Sequence, residues 1–303
     1  MNKQQLCDSF PSSSVTFTEV ENGLIVVRVD NEFASTQVLL QGAQVLSYVP
    51  HGKPDLLWIS DDACYEKGRP VRGGVPICWP WFGASSEQPM APAHGFARNL
   101  MWVLEEVTDL NDGATELLFT LESSDESRRL WPYLFTLQYR VVVGPRLELN
   151  LTTSNVDSQQ WSFTEALHSY LAVQSIERAR LSGFFGLDYQ DKLSSSSDLQ
   201  QQGGDLVVAG EVDRIYHTGQ RQDDLRGCEL SDPASGQTIS VAASGSSAVV
   251  VWNPWVVKAE ALADFANEGY RTMLCIEAAN TEPSPVNLKP GESHTLCQVI
   301  SLL

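Results

Sequence analysis

Leu134–Thr153 reads L-F-T-L-Q-Y-R-V-V-V-G-P-R-L-E-L-N-L-T-T. On either side of Gly144-Pro145, apolar and polar residues alternate, so each run presents one apolar and one polar face when extended. Gly-Pro cannot continue a strand, and it marks the turn between the two. An antiparallel pair with one buried face is therefore expected here. The same pattern spreads outward through the chain. Val15–Val20 alternates, Asn22-Gly23 is a hairpin turn, and Leu24–Val29 follows. Thr36–Tyr48 carries two short runs broken at Gly42, and Asp112-Gly113 separates Met101–Val107 from Glu116–Glu122. Further strands are expected at Gln237–Val241, Ala248–Trp252, Met273–Ala278 and Ser293–Leu302. Short strands punctuated by regular turns indicate a sandwich or barrel. Helix is expected only at Lys258–Phe265, with one turn at Asp125–Leu130, and Ser194–Gly204 reads as an exposed loop. No 20–50-residue repeat and no linker interrupts the series. The expectation is one all-β domain over residues 1–303, its first 12 residues forming a flexible arm.

Composition narrows the function classes. The chain has 303 residues, 43% of them hydrophobic, which is ample for a large core. Twenty basic residues against 38 acidic give a formal charge of −18. Nucleic-acid surfaces and polybasic membrane patches need the opposite sign, so neither partner is expected. An anion site must then be a local cationic pocket, since salt screens the wider field beyond about 8 Å. The six cysteines form no C-x-x-C pair, and several lie in apolar runs, as buried reduced thiols do. Met1–Pro11 is no signal peptide, and no apolar run approaches the roughly 18 residues of a membrane span. A soluble cytoplasmic protein is expected, with a monomer favoured.

The stretches that carry chemistry lie between and within the strands. Val71–Gly83 (V-R-G-G-V-P-I-C-W-P-W-F-G) and Ala93–Arg98 (A-H-G-F-A-R) concentrate Arg72, Arg98, His94, Trp79, Trp81 and Phe82 among glycines and prolines. Neither helix nor regular strand tolerates that composition. An irregular aromatic wall with a cation at each end fits a ring-shaped polar ligand with negative charge; a plain glycine-rich corner is the alternative. In Thr164–Tyr170 (T-E-A-L-H-S-Y), alternation puts His168 on one face with Ala166 and Tyr170, and Glu165 on the other. A lone strand histidine is commonly a hydrogen-bonded core residue. Glu277 is the only charge in Met273–Ala279, and a carboxylate stranded in such a run is costly. Burial would raise its pKa into the range useful for proton transfer. In Glu211–His217, Glu211 and Asp213 share a face, placed to bind hydroxyls or to pair with Arg214. Trp252 and Trp255 are candidates for stacking on a sugar, or for the core. Phosphate-loop, dinucleotide, nucleophile-elbow and zinc-helix motifs are absent from the sequence, and no metal is expected.

Read in order, R-G-G-V-P-I-C-W-P-W-F-G, A-H-G-F-A-R, T-E-A-L-H-S-Y, E-V-D-R-I-Y, V-W-N-P-W and C-I-E-A-A-N resemble the hexose-6-phosphate 1-epimerase branch of the aldose 1-epimerase superfamily. The resemblance extends over roughly Val38–Val299 and implies a β-supersandwich of the galactose-mutarotase type with a few short helices. It implies His168 and Glu277 as catalytic residues, and Arg72, Arg98 and Asp213 as ligand contacts, with His94 lining the site. The expected activity is cofactor-independent exchange of the α and β anomers of a hexose 6-phosphate, with Glu277 as base and protonated His168 as acid. A free-sugar mutarotase, a non-catalytic sugar-binding protein and a metabolite sensor are the alternatives. One departure is E-A-A-N after Ile276, where some relatives carry E-P-G or a similar turn, which changes the exit from that strand.

Overall fold

The computed structural model describes residues 1–85, 88–196, 198–219 and 227–303. The hairpin is Phe135–Val143 against Leu147–Asn155, paired antiparallel from Phe135↔Asn155 to Val143↔Leu147. Its alternation is realised in the burial: Phe135, Leu137, Tyr139, Val141, Leu147, Leu149 and Leu151 are fully buried, while Thr136, Gln138, Glu148 and Asn150 are not. Each such buried side chain contributes roughly 1.5–3 kcal/mol.

The two hairpin strands are central in an eight-stranded sheet, flanked by Ser293–Leu302 on one side and Thr115–Glu122 on the other. A second eight-stranded sheet runs in the order Gln200–Gln201, Asp188–Asp191, Val212–His217, Ala248–Asn253, Met273–Asn280, Glu165–Leu167, Ile77–Cys78. Tyr170–Ala172 also pairs with Met273–Asn280. A four-stranded sheet covers Val15–Pro50, and a two-stranded one joins Trp161–Phe163 to Val286–Leu288. Strands of both large sheets contribute to one hydrophobic core. This is the expected all-β supersandwich.

Helices are few and short, with two differences from expectation. Residues 1–12 do not form a loose arm: Lys3–Ser9 is a helix, closed by a capping box between Asn2 and Gln5 and anchored by buried Leu6. The expected Lys258–Phe265 helix is Trp255–Ala261, because Leu262 turns extended (φ −96°, ψ 110°). Asp264 thereby falls in a loop. The turn at Asp125–Leu130 is helical as expected, capped by Ser124. In Ser194–Gly204, Gln200–Gln201 pairs with Asp188–Tyr189, and residue 197 lies outside the described residues. Among the described residues no helix is long and apolar enough to cross a membrane. All six cysteines are free thiols.

Candidate active site

The irregular stretch is fixed by backbone packing. Gly73 and Gly74 have φ of 124° and 61°, and a Cβ there would lie 2.3 Å from Trp58 O and 2.1 Å from Val45 O. Only glycine fits, which pins Arg72 beside them. Trp79 is not part of a ligand wall: it is fully buried, packed edge-on to Phe96 and Trp131 and against Phe135. Trp81 is half-buried, its Nε1 donating to Pro92 O. Phe82 does reach the cavity. Residues 86 and 87, between the two runs, lie outside the described residues.

A cavity of ≈ 840 Å³ opens on the second sheet, lined by Arg72, Phe82, His94, Arg98, His168, Tyr170, Lys192, Asp213, Trp252, Lys258 and Glu277, among others. All six expected site residues meet here. Trp252 lines it too, whereas Trp255 packs on Tyr270, ring centroids 5.1 Å apart.

Register brings His168 and Glu277 together. Leu167 pairs with Ala278 and Tyr170 with Cys275, so with no slip His168 stands directly opposite Glu277. The Nε2–Oε1 distance is 3.4 Å, and the side chains are 9% and 1% exposed. The imidazole stacks on Tyr170 (4.9 Å, 13°) and meets His94 edge-on at 5.7 Å. Burial pushes Glu277 well above the usual carboxylate range, Asp213 adds to this, and Arg98 opposes it. His168 is held well below the usual imidazole range by burial, then by His94, Arg98 and Arg72. Both directions place a shared proton on Glu277 and leave His168 neutral. That is the reverse of the expected resting arrangement, because the sequence reveals the carboxylate's apolar setting but not the cations facing the imidazole. Glu165 does not orient His168. It is buried beneath the other face, accepting from Asn280 Nδ2 at 3.0 Å and paired with His294 at 3.2 Å.

The two arginines differ. Arg72 is committed: its Nε and Nη2 donate to Asp264 at 3.1–3.3 Å, and Nη1 donates to Tyr170 Oη at 3.1 Å. Arg98 gives one donor to Ala93 O at 2.8 Å, and its buried Nε has no partner. Among the described residues no carboxylate lies within 4.0 Å of the Arg98 guanidinium. Asp213 faces Lys258 at 3.9 Å, not Arg214, which turns away to Asp191 and lies over the Tyr189 ring. Burial raises the Asp213 pKa, against the pull of Lys258 and Lys192. His94 Nδ1 accepts from Gly83 N at 3.3 Å, and burial, Arg98 and Arg72 push its pKa down to about 3. The ring is therefore neutral, with Nε2–H left as a donor.

Lys192 and the Tyr170–Arg72–Asp264 chain were not picked out from sequence. Lys192 sits alone in a polar loop, and Asp264 lies 192 residues from Arg72. Ligand atoms of His168, Cys275 and Glu277 lie within 4.8 Å of one another, a set that could hold a soft cation. Two guanidiniums line the same cavity, and burial holds the Cys275 thiol well above its ordinary pKa, so the charges oppose a metal there.

The aldose 1-epimerase family model matches residues 26–301. An Escherichia coli protein bearing the provisional name glucose-6-phosphate 1-epimerase is 33% identical over 272 residues, covering 89% of this chain and 88% of that one. A Salmonella typhimurium crystal structure provisionally titled a mutarotase superposes with a TM-score of 0.87 at 30% identity, covering 99% and 98% of the two chains. A galactose mutarotase related enzyme from Lactobacillus acidophilus shares the fold alone, with a TM-score of 0.73 at 14% identity and coverage of 92% and 97%. With 26–301 matched end to end and a buried imidazole–carboxyl pair on the cavity floor, this chain belongs to the aldose 1-epimerase family.

Proposed function

We propose that the protein interconverts the α and β anomers of a hexose 6-phosphate, glucose 6-phosphate foremost, and that one imidazole and one carboxyl do the proton chemistry. The observation that carries this is His168 opposite Glu277 at 3.4 Å on the floor of a cation-rimmed cavity. Opening the hemiacetal removes a proton from the C1 hydroxyl and delivers one to the ring oxygen. After rotation about C1–C2, reclosure returns both. The exchange has no net oxidation or reduction and consumes no proton, so one acid and one base complete the cycle. Each transfer contributes on the order of 10²–10⁴ in rate.

The phosphate is held by Arg98 and Arg72, with His94 and Asp213 on sugar hydroxyls. Arg98 has donors to spare; Arg72 is shared with Asp264. A phosphate dianion against these guanidiniums offsets what the arginines add to burial in holding His168 neutral, and, lying closer to His168 than to Glu277, draws the shared proton towards the imidazole. Glu277 then becomes the base and His168 the acid. The reading includes a single functional unit acting as a monomer in the cytoplasm, a compartment in which six free thiols stay reduced.

The test is NMR exchange spectroscopy on the anomeric protons of glucose 6-phosphate and of glucose. Faster exchange of the phosphorylated sugar is expected. Equal acceleration of both would favour a free-sugar mutarotase, and tight binding without exchange would leave a binding protein.

A further inference from the structure

The strand that carries His168 is broken where it matters. Glu165–Leu167 and Tyr170–Ala172 pair with Met273–Asn280 in one continuous register, so Ser169 stands opposite Ile276. An antiparallel pair at that position should exchange two backbone hydrogen bonds. Only one forms: Ile276 N donates to Ser169 O at 3.1 Å, while Ser169 N turns back to Leu167 O at 3.0 Å. The kink lies between His168 and the strand beyond it. It leaves Ile276 O, the carbonyl next to Glu277, without its strand partner.

Gln298 fills that vacancy from the opposite sheet. It is fully buried on Ser293–Leu302, and its Nε2 donates to Ile276 O at 3.0 Å. Its Oε1 accepts from Ser169 Oγ. One side-chain amide therefore ties the residue after His168 to the residue before Glu277, in place of the absent backbone hydrogen bond. Behind it lies a cavity of ≈ 270 Å³, lined by Ile276, Ala278 and Gln298 among others. Packing on that side leaves room for the strands to move if the amide is removed.

We infer that Gln298 is a positioning residue for anomer exchange, setting the distance between His168 and Glu277 through the Ser169–Gln298–Ile276 link. It touches neither substrate nor the reacting atoms. This rests on the reading of His168 and Glu277 as the acid–base pair.

The experiment compares the parent with Gln298→Met and Ser169→Ala by anomer-exchange kinetics and by pH titration of the His168 imidazole in ¹⁵N-histidine-labelled protein. A misplacement near 1 Å can cost about 10²-fold. Gln298→Met should lower kcat by roughly tenfold or more, with KM for glucose 6-phosphate within about twofold, and shift the His168 titration. Ser169→Ala, which removes only the hydroxyl anchoring the amide, should move both readouts the same way by less, and it serves if Gln298→Met fails to fold. Unchanged kcat and unchanged His168 titration in a folded variant would overturn the inference. So would a fall in thermal midpoint with both readouts intact, since that is a structural role alone. A parent that does not exchange anomers would refute the proposed function instead, and the imidazole titration would still report on the link.

Discussion

Glu277→Gln should slow the protein and stabilise it, and the two effects come from the same burial. Glutamine keeps the shape and its amide can still bond the imidazole 3.4 Å away, but it cannot exchange a proton. Losing one partner of the pair should reduce kcat by about 10²–10⁴, or roughly 3–5.5 kcal/mol of barrier at 1.36 kcal/mol per decade. Stability runs the other way. The carboxyl is almost completely buried and its folded pKa stands well above the ordinary value of 4.5, mainly through desolvation. A group raised in this way favours the fold fully below the unfolded pKa, and that contribution is lost as pH climbs towards the folded value. Each unit of elevation is worth about 1.4 kcal/mol. An uncharged amide at this position carries no such penalty. The variant should therefore melt higher than the parent at pH 7–8, with the gap closing as pH falls towards 4.5. For a chain of this size each kcal/mol moves the midpoint by roughly 2–4 °C or less. Calorimetry across that range, with anomer exchange on the same samples, measures both. Equal midpoints at pH 8 would show that the carboxyl is not held protonated, and retained activity would remove it from the chemistry.

Two further substitutions test the anion site and the ion pair beneath the other face of the sheet. Arg98→Met removes the guanidinium with unused donors; hydrogen bonds to charged groups are worth about 1.5–3 kcal/mol, so kcat/KM for glucose 6-phosphate should fall by one to two decades. The same variant should treat free glucose as the parent does, and an undiminished preference for the phosphate would move the anion site elsewhere in the cavity. His294→Gln tests the pair it forms with buried Glu165: burial alone would lower the His294 pKa, but the hydrogen bond and charge of Glu165 overturn this and raise it. A raised histidine stabilises fully below its unfolded pKa of about 6.5 and loses that contribution as pH rises through the folded value. Urea midpoints should accordingly show a larger loss for the variant at pH 5.5 than at pH 9; a pH-independent loss would mean the pair is not ionic.

The fold was legible because one-sided strands write their burial into the sequence. Phe135–Val143 and Ser293–Leu302 fall within a residue of expectation, since each alternates over its whole length and ends at a turn. Asp125–Leu130 was legible as a single helical turn, and the structure adds its cap, Ser124. Trp79 was misread because an aromatic among prolines looks the same whether it lines a cavity or fills the core. Only Trp131, Phe135 and Phe163, distant in sequence, show which. The proposed catalytic pair stood out for unequal reasons. Glu277 is a charge in an apolar run, whereas His168 on its own reads as an ordinary core histidine, and its role depends on a partner 109 residues away set by register.

What no local pattern conveys is how the charges around that pair are apportioned. A chain of net charge −18 concentrates Arg72, Arg98, Lys192 and Lys258 on one cavity, then commits two of them to carboxylates: Arg72 to Asp264 and Lys258 to Glu211. Those pairs fix geometry, and they leave Arg98 as the guanidinium with capacity for a ligand. The same arginine appears in the balance of His168, where it adds to burial in keeping the ring neutral, and of Glu277, which it pulls towards ionisation. An anion bound to Arg98 therefore acts on both members of the pair at once and in compensating directions: it eases protonation of the imidazole and makes the carboxylate harder to form. The proton passes from one to the other only if the anion lies closer to His168 than to Glu277, since the interaction falls with distance. A phosphate beside Arg72 and His94, which act on His168 and not on Glu277, would satisfy that condition. One held against Asp213, which acts on Glu277 and not on His168, would not, and repulsion from that carboxylate argues against such a pose.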